Sequence, residues 1–199
     1  MTKFIFDLDG TITSEETLPI ISKHFNIHKE IDEITARTVQ GEIPFVESFT
    51  SRVHILSMLP IDEVDELLEK VSLYPKVLTF IHQNKDNCAI ATGNLRCWID
   101  KLVKRIGCAC FSSDALIENN NVIKLTNILR KEKIVEYYKN FGEKVVFIGD
   151  GHNDVEAMKV ADYSIASGLT HPPAKSIVEI ADYLVYCEDE LYNKLNELL

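Results

Sequence analysis

The fold is decided by FIFDLDGT, Phe4 to Thr11. Phe4, Ile5 and Phe6 form an apolar run about one strand long, and it delivers two aspartates, Asp7 and Asp9. Side chains alternate faces along a strand, so the two carboxylates share a side only while the chain stays extended. Gly10 lets it turn immediately afterwards. Two like charges this close are costly without a cation. Read alone, the stretch also fits a surface turn after an edge strand, where Asp and Gly are common.

Outward from this stretch, residues 14–74 read as almost all helix. Leu18, Ile21 and Phe25 keep helical spacing, and Val64, Leu67, Leu68 and Val71 repeat it after Pro60. From Pro75 helices and strands alternate. Val77 to Gln83 suits a helix, CAIAT (Cys88 to Thr92) a buried strand, and Leu95, Ile99, Leu102, Val103 and Ile106 one helix face. A strand follows near Ala109 to Ser112. ALIENNNVIKL, Ala115 to Leu125, has two apolar arms around Asn119, Asn120 and Asn121, which predicts a hairpin. Lys131 to Tyr138 is predicted helical. KVVFIGD is a second apolar strand ending on an aspartate, Asp150, and Asn153 to Val160 is predicted to be helix. YSIA (Tyr163 to Ala166) and YLVY (Tyr183 to Tyr186) are short strands, each followed by a helical segment.

This order predicts an α/β fold: a doubly wound, mostly parallel sheet covered on both faces. Residues 1–13 and 75–199 would make the core, and the helical segment 14–74 would be a small cap inserted after the first strand. Ligands in such sheets bind beyond the carboxyl ends of the strands, which gathers Asp7, Asp9, Thr92 and Asp150 around one crevice.

With 199 residues and 46% hydrophobic content, the chain suffices for one sizeable core. A formal net charge of −10 opposes nucleic acid or an anionic membrane surface as the main partner. No apolar run approaches the ~18 residues of a membrane span. The first strand begins near Lys3, which leaves no room for an N-terminal signal. The five cysteines (Cys88, Cys97, Cys108, Cys110, Cys187) read as reduced core or near-core residues of a cytoplasmic protein. Cys108 and Cys110 form a CxC pair, but no second Cys or His cluster accompanies it as a metal site requires.

Asp7, Asp9 and Asp150, with Asp154 one turn further on, are an oxygen-rich set suited to a hard divalent cation, magnesium first. Gly149 and Gly151 flank Asp150 and let the backbone approach an ion. For phosphate, Thr92 offers a hydroxyl, Gly93 an N–H at an expected helix N-terminus, and a lysine near Lys131 a full charge.

DLDGT, Thr92 after an apolar strand, a downstream Lys and GDGHND, in that order, resemble the haloacid-dehalogenase-like (HAD) phosphohydrolases over practically the whole chain. The helical insertion resembles the cap of the phosphoserine phosphatase group, and GEIPFVESFTSRVHILSMLPIDEV (Gly41 to Val64) and KEKIV (Lys131 to Val135) are similar to segments of that group. The resemblance implies a Mg2+-dependent phosphomonoester hydrolase for a small metabolite, O-phosphoserine before other small phosphate esters. A silent phosphate-binding protein is disfavoured because Asp9 is kept. It further implies Asp7 as nucleophile, Asp9 as general acid/base, and the metal on Asp7, the Asp9 carbonyl and Asp150. Thr92, Gly93 and Lys131 would hold the phosphoryl oxygens, with Lys133 competing for the lysine's role; Asn153 would face substrate and Asp154 support the metal's water or Lys131. Glu16 would receive a substrate ammonium and Arg52 a carboxylate. Thr92-Gly93-Asn94 departs from the group's usual Ser-Gly-Gly and alters hydrogen bonding beside the phosphate. His152 reads as a loop residue.

Overall fold

The alternation in the first strand partitions the whole molecule. In the computed structural model, β1 (Thr2–Phe6) turns Phe4 and Phe6 into one apolar cluster and Ile5 into another. The structure describes residues 1–39 and 42–199, the side chains of Thr35, Ala36, Thr38, Val39 and Phe45 excepted. Gly41, at the start of the segment compared above, lies outside them.

Four helices follow: α1 (Thr17–His24), α2 (His28–Val39), α3 (Phe45–Leu56) and α4 (Ile61–Glu69). Their apolar residues, among them Ile21, Phe49, Val53, Val64 and Leu68, belong to the same cluster as Phe4 and Phe6. The way in and the way out run side by side: Thr13 bridges Leu73, and Tyr74 N–H donates to Ile12 O at 3.0 Å.

Then come α5 (Pro75–Gln83), β2 (Cys88–Leu95), α6 (Arg96–Ile106), β3 (Ala109–Glu118), β4 (Asn121–Asn127) and α7 (Lys131–Asn140). The chain ends with β5 (Lys144–Gly149), α8 (Val155–Val160), β6 (Tyr163–Ser167), α9 (Lys175–Val178), β7 (Tyr183–Val185) and α10 (Glu188–Leu198). The sheet order is β4-β3-β2-β1-β5-β6-β7, parallel except for β4. Helices α5, α6 and α10 cover the face of Phe4 and Phe6; α7, α8 and α9 cover that of Ile5. Successive connections lead away from β1 on one side and then on the other, so the switch point lies between β1 and β5. Among the described residues no helix is long and apolar enough to cross a membrane.

Four local expectations need correction. The strand expected to end at Thr92 continues to Leu95, and three residues of β2 (Thr92, Gly93, Asn94) stand against one of β3 (Ser112) between the pairs Ala91–Phe111 and Leu95–Ser113. Such a bulge re-aims side chains away from the ladder. Gly93 is therefore extended chain, not a helix N-terminus; α6 begins at Arg96. The strand near Ala109 and the first hairpin arm are one strand, because the turn occupies only Asn119 and Asn120, both with positive φ (49° and 66°). The helix expected from Asn153 opens instead as a 3-10 turn, His152–Asp154. All five cysteines are free, but Cys187 is exposed at the start of α10, outside the core.

The hairpin tip has a further task. Asn120 accepts Ile61 N–H at its carbonyl (2.9 Å) and Asp62 N–H at its side chain (3.2 Å), which satisfies the first turn of α4 from outside. Asn120→Gly keeps the left-handed conformation and removes the side-chain acceptor, an expected loss of about 1 kcal/mol. Asn120→Ala should lose roughly another 1 kcal/mol because a Cβ is unfavourable at positive φ. Urea unfolding of both variants checks the ranking.

Candidate active site

Extended backbone stops at Asp7, whose own N–H still donates to Ile148 O of β5 at 2.8 Å. The next residues fold into a tight turn in which Ile12 and Thr13 N–H both donate to Leu8 O. Gly10 sits in it at φ 66°, and a Cβ there would lie 2.5 Å from Asp150 Oδ2 and 3.0 Å from Glu16 Oε1. Only glycine satisfies both the angle and the approach.

Asp7 is 5% exposed. Its Oδ1 accepts Leu8 N–H at 2.7 Å, and its Oδ2 lies 2.8 Å from Lys131 Nζ. Lys131, the first residue of α7, also reaches Asp154 Oδ1 at 2.6 Å. Asp154, fully buried, accepts the N–H groups of Asp150 and Gly151 on its other oxygen at 3.1 and 3.0 Å. Burial pushes the Asp7 carboxyl well above the usual carboxylate range; Lys131 pulls it down, and Asp154, Asp150 and Asp9 push it further up. Burial works against the Lys131 ammonium, but Asp154 and Asp7 together outweigh it and raise its pKa. Lys133 instead points outward to Glu136 at 2.7 Å.

Asp9 is held differently. Its Oδ1 accepts Thr17 N–H at 2.8 Å, at the start of α1, and its Oδ2 accepts Asn94 Nδ2–H at 2.6 Å. Burial first, then the nearby Glu16 charge, raises its pKa to about 6 against the lowering effect of the hydrogen bonds from Thr17 and of the Lys131 charge. Such a group exchanges protons readily near neutral pH.

A cavity of about 330 Å³ opens over these groups at the switch point. Asp7, Asp9, Glu16, Arg52, Thr92, Gly93, Asp150 and Asn153 all line it; Lys131 and Asp154 lie beneath, against Asp7 and Asp150. Arg52 comes from α3, with its Nε donating to Ser48 O at 3.4 Å; partial burial lowers its pKa, while Asp9 and Glu16 favour its charge. Leu18 and Phe49 add apolar wall.

One ligand oxygen from each of Asp7, Asp150 and Asp154 falls within 4.8 Å of the others. All three are buried, and carboxylate oxygens at this spacing fit a hard divalent cation. The chemistry such a site supports is attack by a carboxylate on an anionic electrophile, with a second carboxyl beside it to move a proton.

His171 is the residue that sequence reading missed. From the loop after β6 its Nε2 lies 2.9 Å from Asp150 Oδ2 and 3.1 Å from Glu16 Oε1. Chiefly the hydrogen bond to Asp150 lifts its pKa to about 10. No local pattern marks GLTHPP as functional; the usable signal was its place at the carboxyl end of another strand. His152 is exposed and joins Ser176 Oγ at 2.8 Å.

Fold and site together define a doubly wound enzyme whose paired carboxylates follow the first strand. The family model of the haloacid dehalogenase-like hydrolases matches residues 2–162, and the chain belongs to that family. Among individual proteins it is similar to the phosphoserine phosphatase of Saccharomyces cerevisiae, 26% identical over 216 residues that cover 96% of this chain and 70% of the yeast protein. It is also 26% identical to the phosphoserine phosphatase of Archaeoglobus fulgidus over 175 residues, 81% of this chain but only about half (51%) of that protein. A solved structure of a phospho-aspartyl intermediate analogue of phosphoserine phosphatase superposes with a TM-score of 0.81 at 21% identity, covering 98% of this chain and 99% of the other.

Lys131→Met leaves the buried Asp7 and Asp154 without their shared cation, so a loss of about 3–5 kcal/mol is expected. Lys133→Met, at an exposed pair, should stay within about 0.5 kcal/mol of the parent. Chemical denaturation of the two variants side by side measures the contrast.

Proposed function

We propose that this hydrolase cleaves phosphate monoesters of small metabolites through an aspartyl phosphate on Asp7, with O-phosphoserine the leading substrate. The observation that carries the reading is Asp7, paired with Lys131 beneath it, lining one cavity with Asp9, whose carboxyl is fixed by two N–H donors.

Asp7 attacks phosphorus, and the bond to the substrate oxygen breaks as Asp9 gives that oxygen its proton. Asp9, now a carboxylate, takes a proton from water as the water attacks the aspartyl phosphate and frees Asp7. Lys131, the Thr92 hydroxyl and Gly93 N–H hold the phosphoryl oxygens, where charge is largest in the transition state. Asp7, the Asp9 carbonyl and Asp150 would hold magnesium, which supplies positive charge against the repulsion between these carboxylates and a phosphate dianion. Asp154 anchors Lys131 and the Asp150–Gly151 backbone beneath.

Residues 14–74 serve as a cap over the core formed by 1–13 and 75–199. Arg52 on this cap receives the substrate carboxylate, Glu16 its ammonium, and Asn153 faces the substrate from the opposite wall. Five free cysteines accord with a reducing compartment, the cytoplasm. A second reading, a different small phosphate ester, is favoured by one contact: His171 already occupies the Glu16 carboxylate that an ammonium would need.

Phosphate release from a panel of phosphomonoesters, with and without magnesium, tests the reading. O-phosphoserine turnover that stops with a chelator and in Asp7→Asn is the expected result; no release from any ester would overturn it. Arg52→Ala should lower kcat/KM for O-phosphoserine by about 100-fold, the cost of removing one partner of a charge-assisted pair, and that for p-nitrophenyl phosphate by less than about threefold. Magnesium should raise Tm of the parent by linkage, and Asp150→Asn should abolish that rise in a thermal-shift titration.

A further inference from the structure

Asn94 lies in the bulge of β2, 6% exposed, and its amide nitrogen is used twice. One hydrogen points at Asp9 Oδ2 (2.6 Å) and the other at Thr17 Oγ1 (3.0 Å). Thr17 N–H in turn holds Asp9 Oδ1 at 2.8 Å, which closes a ring of three residues. Asn94 N–H donates to Thr92 Oγ1 at 3.1 Å, so the same bulge sets the hydroxyl beside the proposed phosphate position.

We propose that Asn94 is the positioning residue for the acid/base Asp9, one that orients its carboxyl toward the leaving oxygen of the substrate. The inference rests on the proposed hydrolase reading. A carboxyl held through one oxygen rotates about its terminal bond, whose torsional preference is broad. Donors on both oxygens, from two separate elements, fix the plane of the group. With the Thr17 hydroxyl also bonded to the carboxyl, a lone pair still remains for the transferable proton. As the P–O bond breaks and that proton passes to the leaving alkoxide, Asp9 becomes a carboxylate. The amide N–H bond to it strengthens, because donors bind ionised acceptors more tightly than neutral ones. The benefit therefore falls on the transition state and only for a leaving group that needs a proton. A p-nitrophenolate leaves unprotonated, so its departure makes no use of an oriented Asp9.

The test compares kcat/KM for an alkyl phosphate (O-phosphoserine or glycerol phosphate, whichever the parent hydrolyses) with that for p-nitrophenyl phosphate. This ratio reports the first half-reaction alone, free of the later hydrolysis of the aspartyl phosphate. Asn94→Ala is expected to lower the alkyl value by about 10- to 100-fold, part of the usual contribution of a general acid, and the aryl value by less than about threefold. Asn94→Asp, which sets a like charge against Asp9, should lower the alkyl value further. Asn94→Ser, whose hydroxyl is too short to span the gap, gives the same selective loss if the alanine variant folds poorly. Equal losses on both esters would mean that Asn94 only supports the fold, and would overturn the inference while the hydrolase reading stands. A parent protein that hydrolyses neither ester would overturn both.

Discussion

The buried ammonium of Lys131 is the interaction on which the site depends. Three charges out of water would each cost several kcal/mol if left alone. Here Lys131 lies between Asp7 at the end of β1 and Asp154 after β5, and Asp154 is further satisfied by two backbone N–H groups. The cluster thus ties α7 to the two loops on either side of the switch point. Asp7 is held in place from both of its oxygens, and Asp150, four residues before Asp154, is brought over the same cavity.

Around that pair the remaining parts separate by origin. The sheet contributes rigid positions: Asp7 beyond β1, Asp150 beyond β5, and Thr92 and Asn94 in the bulge of β2. The segment 14–74 contributes side chains of the outer wall, Glu16, Leu18, Phe49 and Arg52. Its apolar residues join the core cluster of the sheet, the hairpin tip caps α4, and Lys101 N–H of α6 donates to Asp65 of α4, so the insertion is anchored to the sheet, the hairpin and α6. A ligand entering this cavity would meet carboxylates held by the sheet below and the charged groups of Glu16 and Arg52 above.

Much of the fold was legible because its signals are local. Phe4, Ile5 and Phe6 announce a strand, Asn119 and Asn120 take the left-handed conformations their side chains tolerate, and the apolar spacing of Ile99, Leu102, Val103 and Ile106 marks the buried face of α6. The errors came where one element's course depends on its neighbour. Thr92-Gly93 reads as a helix start, yet pairing of Leu95 with Ser113 of β3 draws the chain into a bulged strand. Cys187 follows YLVY and reads as a near-core cysteine, but the strand ends at Val185 and Cys187 is exposed at the start of α10.

By itself, the sequence determined the order of strands and helices, the aspartates at the strand ends and the family to which the chain belongs. Those follow from hydrophobic periodicity and from short motifs whose residues are neighbours along the chain. Tertiary structure alone decided which lysine is buried against Asp7, that Asn94 and Thr17 grip Asp9, and that His171 reaches Glu16 and Asp150. The contacts of Lys131 with Asp7, Asn94 with Asp9 and His171 with Glu16 join residues 124, 85 and 155 positions apart. Their existence depends on strand register, the bulge in β2 and the packing of α7, which no local pattern encodes.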